Sequence, residues 1–364
     1  MTQVTRQADP IKEYYIAYFD LLGYKAFFQH HPDRIEDFLQ IINDAIFNTN
    51  EYIQSVGTSP IGGGLGDLNI RRKVFSDNVL LCLAKGNTQM EYPRFLAFLS
   101  IVADIQRNFI LQHGLFLRGG ITIGKLSFND DFVFGQGLID AVALEDSAVY
   151  PRIIMGQPVL DYVLQPHFVK QEDLDRACEI EKRAHSGSYI TDEEVEFCNS
   201  IKPAVDMDKL YLQWRKQLLL SVSDKDVWLN YLYSPDIGDM IGQTTYKQML
   251  EFLRVFSPND YQRLSSHNYD RKQLLEVHKQ HIVEKVKEYG HYDDLGIPSD
   301  NSTKEASIRE HILKKYIWVL MFHNNMCMAY NASECIINFC NICDFRFMKF
   351  GVKILEDNTS AAKQ

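Results

Sequence analysis

The stretch Tyr15-Ile16-Ala17-Tyr18-Phe19-Asp20-Leu21-Leu22-Gly23-Tyr24 places a carboxylate at the end of an apolar run. A second stretch, Val74-Phe75-Ser76-Asp77-Asn78-Val79-Leu80-Leu81, places Asp77 between two short apolar segments. A carboxylate in such a setting is costly to desolvate unless a cation neutralises it. For either aspartate alone, a helix cap at Asp20 or a hairpin turn at Asp77 is the simpler interpretation. Two converging carboxylates with divalent ions between them, however, form a clamp for phosphate chemistry.

The apolar patterns around the two aspartates predict the element order β-α-β-β-α-β. The strands fall at residues 14–19, 72–75, 79–83 and 115–123, and the helices at residues 35–53 and 93–112. This order predicts an α+β fold of the ferredoxin-like type, in which the first strand lies beside the central hairpin in an antiparallel sheet covered on one face by helices. Asp20 at the end of the first strand and Asp77 at the hairpin tip would then lie close enough to share two metal ions.

The character of the chain changes past roughly residue 165. We predict a first domain over residues 1–165, which carries both aspartates, and a mainly helical region over residues 166–364. The second region contains one probable added strand near 227–232 and long helical patterns over Leu274–Tyr289 and Ile308–Phe347. We interpret this region as a lid or a dimerisation scaffold.

Composition restricts the partners of the chain. The 364 residues carry a net charge of −10 from 38 basic and 48 acidic side chains, which argues against a broad nucleic-acid surface. A polyanionic ligand such as a nucleotide must therefore be held by a local basic cluster or by metal ions. No apolar signal segment opens the sequence, and apolar stretches such as Ile317–Phe322 are too short to cross a bilayer. We expect a cytoplasmic protein with no membrane partner and no nucleic-acid partner.

The seven cysteines are an odd number and are scattered, which fits reduced thiols better than a disulfide framework. Cys340-Asn341-Ile342-Cys343 has redox or zinc spacing, but the sequence offers no second pair of this kind and no paired histidines. Buried packing is the simpler interpretation, and we assign these cysteines no function.

Four segments in this order and spacing resemble the class III nucleotidyl cyclases, and within them the pyrimidine cyclases of bacterial Pycsar antiphage systems. The resemblance covers roughly the first 155 residues. The matching segments are Tyr18–Tyr24, Phe75-Ser76-Asp77, Leu117-Arg118-Gly119-Gly120-Ile121-Thr122-Ile123-Gly124, and Phe134-Gly135-Gln136-Gly137 through Ala141 to Leu144-Glu145. Lys314–Trp318 and His323-Asn324 are similar, less specifically, to the C-terminal helix of Pycsar-like cyclases.

The resemblance implies two Mn²⁺ or Mg²⁺ ions held by Asp20, Asp77 and the carbonyl of Leu21. It implies a reaction in which a nucleoside triphosphate becomes a 3′,5′-cyclic nucleotide plus pyrophosphate. Phe19 and the turn Leu22-Gly23-Tyr24 are the implied nucleotide contacts on this side. The backbone amides of that turn are suited to cradling the β- and γ-phosphates, although an ordinary strand-to-helix turn explains the same residues.

The departures from the family pattern concern the base and the transition state. Lys73 stands where adenylate cyclases have an adenine-selecting lysine, but Phe132 replaces their adenine-selecting aspartate, which disfavours adenine. Ile139 and Ala143 replace an asparagine and an arginine that assist catalysis, and neither donates hydrogen bonds through its side chain.

Either another arginine supplies the catalytic positive charge or the domain is inactive, and the resemblance to the Pycsar cyclases favours the first. Arg118, Arg152 and the Arg71-Arg72 pair are the candidates, and Arg152 is our first choice because it follows the site-facing helix. A surface role for Arg152 is the alternative. A pyrimidine nucleotide is the implied substrate, with UTP preferred to CTP on family prevalence.

In the family the active site is composite, so the resemblance implies a homodimer. Lys73 and Phe132 would face Asp20 and Asp77 across the interface, where Phe132 is suited to packing against a small pyrimidine ring. A core phenylalanine and a solvated strand-edge lysine are the plain alternatives. The cyclic product would be a second messenger in antiphage defence, read by a separate effector protein.

Three other functions remain open. Ile139 and Ala143 favour a catalytically silent cyclase-like module that senses nucleotides. A diguanylate-cyclase or polymerase-type palm uses the same pair of aspartates, but its Gly-Gly-Asp/Glu-Asp/Glu-Phe-like hairpin is absent at Phe75-Ser76-Asp77-Asn78. A protein-interaction scaffold would need both aspartates as nothing more than caps.

Overall fold

The computed structural model describes residues 11–24, 29, 32–34, 36–44, 68–87, 91–129, 131–221, 226–232, 271–290 and 302–338, which form a mixed α/β fold around one sheet. Strands β1 to β8 span, in chain order, Lys12–Leu22, Arg71–Phe75, Asn78–Ala84, Phe116–Phe128, Val133–Phe134, Ile153–Met155, Leu219–Ser221 and Val227–Leu229. Helices α1 to α7 span Glu91–His113, Gln136–Ser147, Gln157–Leu164, Gln171–His185, Asp192–Leu218, Arg271–Gly290 and Ser302–Ala329. Residues 36–44 are also helical. Short 3-10 turns occur at Pro32–Arg34 and Ser333–Cys335.

The strand order of the sheet is β2-β3-β1-β4-β6-β8-β7, with β5 paired to β4 at its far end. The first four of these strands are antiparallel, and β6 runs parallel to β4. The predicted pairing of the first strand with the central hairpin is therefore confirmed. In this register Asp20 lies opposite Asn78 of β3 on one side and opposite Arg118 of β4 on the other.

Both faces of the sheet are covered by helices. Tyr15, Ala17 and Phe19 of β1 point into a core shared with the apolar side chains of α1. The alternate residues Tyr14 and Ile16 point to the opposite face and share a second apolar cluster with α2. The prediction that helices cover one face is wrong, because the period-two alternation of β1 leaves two apolar faces to bury.

Helix α2 lies unusually close to β4 because glycines line their contact. A Cβ atom built on Gly120 would lie 2.2 Å from Cβ of Leu144, and one built on Gly124 would lie 2.6 Å from Cα of Gly137. Real Cβ atoms do not approach other atoms this closely, so larger residues would push the helix away. The glycines therefore place α2, and with it Glu145, beside Arg118.

The C-terminal part of the chain adds to the same sheet. Strand β8 pairs with β6, and β7 pairs with β8. Helices α6 and α7 bury their apolar residues in a cluster that also contains Phe116 of β4 and Ile154 of β6. The C-terminal strands and helices thus pack directly against the strands that carry the aspartates.

Helix α7 ends at Ala329, so the prediction of a helical pattern as far as Phe347 is wrong where the structure describes it, up to residue 338. Asn331 has a φ of 55°, and the N–H of Ala332 donates to the carbonyl of Cys327. Asparagine tolerates this left-handed conformation, which stops a helix. Cys340 and Cys343 lie outside the described residues.

Among the described helices, α1 alone is long and apolar enough to span a membrane, and 78% of its apolar window is buried inside the structure. Phe95, Leu99 and Phe109 of this helix lie in the core beneath β1 and β4. Core packing therefore accounts for the apolar composition of α1.

Candidate functional site

Asp20 and Asp77 lie together at one end of the sheet. Asp77 occupies the two-residue turn between β2 and β3, directly before Asn78, which pairs with Asp20. The N–H of Leu21 donates to the carbonyl of Asp77 at 3.0 Å, and Nδ2 of Asn78 donates to Oδ1 of Asp77 at 3.3 Å. The structure therefore brings together the two carboxylates that the sequence singled out.

The pair carries negative charge that its cationic neighbours offset only in part. Burial and the neighbouring Asp77 raise the pKa of Asp20, while Arg118, the N–H of Leu21 and Lys315 lower it; the net change is upward. A raised pKa means that the ionised form of Asp20 is less stable here than in water. A cation placed between the two carboxylates would relieve this cost.

Arg118 links Asp20 to a third carboxylate. Nη2 of Arg118 lies 3.7 Å from Oδ2 of Asp20, and the same nitrogen forms an ion pair with Glu145 of α2. Glu145 is 5% exposed, and burial raises its pKa against the lowering effect of Arg118. Within the described part of the chain, Nε of Arg118 is buried without a hydrogen-bond partner. One guanidinium donor of Arg118 is thus unsatisfied by the described residues.

Lys315 of α7 is a further cation of the site, and it is not among the site residues predicted from the sequence. Burial and Arg118 lower the pKa of Lys315, while Asp20 and Glu145 raise it. The Lys315 ammonium group therefore interacts electrostatically with Arg118, Asp20 and Glu145. The sequence feature that could have pointed to Lys315 was the Lys314–Trp318 segment. The sequence did not show where in the fold this segment lies.

Asp20 and Asp77 fit a divalent metal site by the chemistry of their donors. Carboxylate oxygens are the preferred ligands of Mg²⁺, which commonly binds through one or two carboxylates plus substrate phosphates. Within the described ranges, no group of three or more His, Cys, Asp or Glu side chains is arranged to hold a metal ion. Further ligands would have to come from backbone carbonyls such as that of Leu21, from phosphate or from water.

Arg152, our first choice for the catalytic arginine, is enclosed. It is 3% exposed, forms an ion pair with Asp226, and lies over the rings of Tyr150, Trp228 and Trp318 at 5.1 to 5.6 Å. Its carbonyl also accepts the N–H of Gly119. This setting suits a structural clamp between β6, β8 and α7. Of the candidate arginines, Arg118 is the one that reaches Asp20.

The side chains of the proposed base-selecting residues, Lys73 of β2 and Phe132, lie near the C-terminal end of β4. Nζ of Lys73 lies 6.0 Å from the ring centroid of Phe128, which closes β4. The N–H of Phe132 donates to Asn129 just beyond that strand, and the Phe132 side chain is 46% exposed. Arg118 and Asp20 lie near the opposite end of β4. In the sheet register Lys73 pairs with Leu80, two positions from the Asn78–Asp20 pair, but its ammonium group is directed to Phe128. Phe132 lies beyond the end of β4 that is distant from Arg118.

The remaining predicted nucleotide contacts lie in the last residues of β1 and in the turn that follows it. Phe19 is fully buried against α1, so its ring packs in the core. Leu22 packs against the cluster shared with α7, and the Tyr24 ring lies 6.4 Å from that of Phe38. Gly23 has a φ of 83°, a conformation that glycine adopts readily. The turn therefore leaves its backbone, rather than these side chains, for contact with a ligand.

The chain matches no protein-family model and no curated protein sequence. Among solved structures it is similar to the adenylyl cyclase CyaB from Pseudomonas aeruginosa, with 15% identity and a TM-score of 0.31, over 43% of this chain and 83% of that one. It is also similar to a class III adenylyl cyclase-like ATP-binding protein from Pseudomonas aeruginosa, with 14% identity and a TM-score of 0.27, over 42% of this chain and 34% of that one.

Proposed function

We propose that the protein is a nucleotidyl cyclase that converts UTP or CTP to the 3′,5′-cyclic nucleotide and pyrophosphate. The observation that carries this proposal is the convergence of Asp20 and Asp77 at the end of the sheet, beside Arg118. The sequence resemblance of the surrounding segments supports cyclisation over other two-carboxylate chemistry. Two divalent ions, Mg²⁺ or Mn²⁺, are the proposed cofactors.

Each residue has a distinct part in the proposed reaction. Asp20 and Asp77 hold the ions, together with the carbonyl of Leu21, and the ions when bound neutralise the triphosphate and lower the pKa of the ribose hydroxyl. The 3′-hydroxyl gives its proton to water, its oxygen attacks the α-phosphorus to form a new P–O bond, and the bond from the α-phosphorus to the bridging oxygen breaks as pyrophosphate leaves. Arg118 donates charge-assisted hydrogen bonds to the phosphate oxygens as negative charge develops. The Gly23 turn offers backbone N–H groups to the outer phosphates.

The separation of Phe132 from the aspartates, and the direction of the Lys73 ammonium group towards Phe128, support a composite site in a homodimer. A partner subunit would bring its Lys73 and Phe132 to the Asp20 end of this chain. Phe132, Phe134 and Ile139 are 46%, 74% and 60% exposed, which is unusual for side chains of this size and suits an interface. Phe132 at the position of an adenine-selecting aspartate favours a pyrimidine. We prefer UTP to CTP on the family resemblance.

The resemblance also supports a biological setting. A cyclic pyrimidine nucleotide made in the cytoplasm would act as a second messenger in antiphage defence and would activate a separate effector protein. A neighbouring gene that encodes a cyclic-nucleotide-binding domain would support this role.

The test is a cyclase assay with purified protein, Mn²⁺ and each of ATP, GTP, CTP and UTP in turn. We expect cyclic product from a pyrimidine nucleotide and a loss of at least about a hundredfold in Asp20→Asn and Asp77→Asn. Asp161→Asn, an exposed residue of α3 bonded to Gln157, is the matched control and keeps full activity. Absence of cyclic product from all four nucleotides, or undiminished product from Asp20→Asn, contradicts the proposal.

A silent nucleotide-sensing module is the second candidate function. Ile139 and Ala143 favour it, because they lie on the exposed side of α2 at the positions where the family carries catalytic polar groups. This module would bind a nucleotide with Mn²⁺ and release it unchanged. Calorimetric binding of UTP without turnover supports the sensing module, whereas turnover supports the cyclase.

A further inference from the structure

Helix α7 crosses the end of the sheet at which the aspartates lie. The rings of Tyr316 and Phe116 lie 5.6 Å apart, and Phe116 precedes Arg118 by two residues on β4. Leu22, the residue opposite Phe116 in the sheet, packs against the same apolar cluster as Leu313 and Ile317 of α7. The helix is therefore anchored beside the Asp20–Arg118 pair by its own apolar residues.

The contacts of Trp318, three residues after Lys315, show which part of the sheet this side of α7 faces. Trp318 stacks on Tyr150 at 5.4 Å and lies over the guanidinium of Arg152. Because Gly119 pairs with Ile153, Arg152 is the neighbour of Arg118 across the sheet. Residues three apart share one side of a helix, so Lys315 lies on the side of α7 that faces Arg118.

The charges that act on Lys315 are of both signs. Arg118, Asp20 and Glu145 all act on its ammonium group, and Arg118 itself is paired with Glu145. Once cations occupy Asp20 and Asp77, an ammonium group beside them is repelled unless an anion joins the site. A lysine has a flexible four-carbon stem with three donors and so turns readily from carboxylates to phosphate.

We propose that Lys315 of α7 binds the triphosphate of the nucleotide in the same chain that supplies Asp20 and Asp77. This inference rests on the proposed function for the identity of its ligand. It assigns a chemical role to the C-terminal helix, which belongs to the region predicted to be a lid or a dimerisation scaffold. The β- and γ-phosphates would then lie between Arg118 and Lys315.

Calorimetric titration with inorganic triphosphate and Mg²⁺ tests this role without requiring turnover. We expect Lys315→Met to weaken triphosphate binding about tenfold and Lys315→Arg to retain most of the affinity. Lys202→Met, which removes an exposed lysine paired with Asp206 on α5, is the control and binds as the wild type does. Thermal unfolding of each variant verifies that it is folded.

The outcomes separate this inference from the proposed function. Wild-type affinity in a folded Lys315→Met variant overturns the inference, and so does an equal loss in Lys315→Met and Lys315→Arg, which indicates packing. If the protein cyclises no nucleotide but Lys315→Met still loses triphosphate binding, the proposed function fails and the inference stands. If the wild type cyclises UTP and Lys315→Met keeps its KM, the inference fails and the function stands.

Discussion

Ser76 is strained in the turn that positions Asp77. Its φ is 61°, a left-handed conformation that residues with a side chain rarely adopt, and it is the first of the two turn residues between β2 and β3. Strain of this kind costs on the order of 1 kcal/mol or more and accumulates at functional sites. Here it directs the turn so that the carbonyl of Asp77 meets the N–H of Leu21.

We expect Ser76→Gly to stabilise the protein by about 0.5 to 1 kcal/mol, because glycine adopts this φ without steric cost. Urea unfolding monitored by circular dichroism measures the change in the free energy of unfolding. Ser76→Ala keeps the Cβ atom and therefore the strain, so it should show no gain. A Ser76→Gly variant no more stable than Ser76→Ala would contradict this account of the turn.

The residues of the site differ in how far the sequence predicts them. Asp20 and Asp77 are predictable because each interrupts an apolar strand pattern and the strand order makes them neighbours. Arg152 was ranked first and is instead buried among Tyr150, Trp228 and Trp318, two of which come from distant segments. Lys315 was missed for the same physical reason, since its neighbours at Asp20 and Arg118 are set by tertiary packing.

The close contact between α2 and β4 is the most demanding packing at the scale of elements. Gly124→Ala would place a methyl group 2.6 Å from Cα of Gly137, where backbone cannot give way as a flexible side chain can. We expect a loss of about 1 to 3 kcal/mol in the free energy of unfolding, as for other overpacked sites. Chemical denaturation measures this loss.

The same variant should also reduce function if α2 positions Glu145 against Arg118. Ala143→Gly, on the exposed side of α2, is a comparison for helix propensity and should cost no more than about 1 kcal/mol. An unfolding midpoint of Gly124→Ala equal to that of the wild type would show that α2 does not approach β4 this closely.

Hydrophobic periodicity predicted which core strands and helices exist better than it predicted what packs against them and where they end. The apolar runs of β1 and the hairpin are short, bounded by turn residues and local in origin, so their pairing followed from element order. The second helical layer was missed because burial on both faces of β1 leaves little contrast between its alternate residues. The end of α7 depends on a single left-handed residue, Asn331, which a helical apolar pattern does not reveal.

A buried polar chain joins the C-terminal elements of the molecule. Tyr231 beyond β8, His278 of α6 and His323 of α7 are linked by contacts of 3.1 and 3.0 Å, and Nε2 of His323 lies 3.0 Å from the carbonyl oxygen of Cys335. Neutral tautomers satisfy every link: the Tyr231 hydroxyl donates to His278, His278 donates to His323, and His323 donates to Cys335. A proton added to Nδ1 of His323 would set two N–H donors against each other, and one added to Nε2 of His278 would face the Tyr231 hydroxyl that donates to it.

Because of this buried polar chain, we expect the free energy of unfolding of the whole molecule to fall at acidic pH. Burial, with His323 and His281, lowers the pKa of His278 well below 6.5, and burial lowers the pKa of His323. Below about pH 6.5 the unfolded chain therefore binds protons that the folded one excludes, so stability falls as pH falls. We expect a loss of up to about 1.4 kcal/mol per pH unit for each histidine.

Urea unfolding in metal-free buffer between about pH 7.5 and about pH 5 measures the slope. His278→Gln keeps a hydrogen-bonding side chain that does not titrate, so its pH dependence should be flatter than that of the wild type. His185→Gln removes an exposed histidine at the end of α4 and should leave the slope unchanged. Equal slopes in all three proteins would show that the buried chain does not control the pH response.

Because α7 lies late in the chain, it is synthesised after the strands that carry the other residues of the site. Ribosomes release a protein from its N-terminus onward, so Asp20, Asp77 and Arg118 emerge long before the helix that carries Lys315. A nascent chain halted after β4 holds both aspartates but lacks α7 and the strands β7 and β8 that continue its sheet. If the protein is the proposed cyclase and Lys315 completes its site, copies still in translation make no cyclic nucleotide.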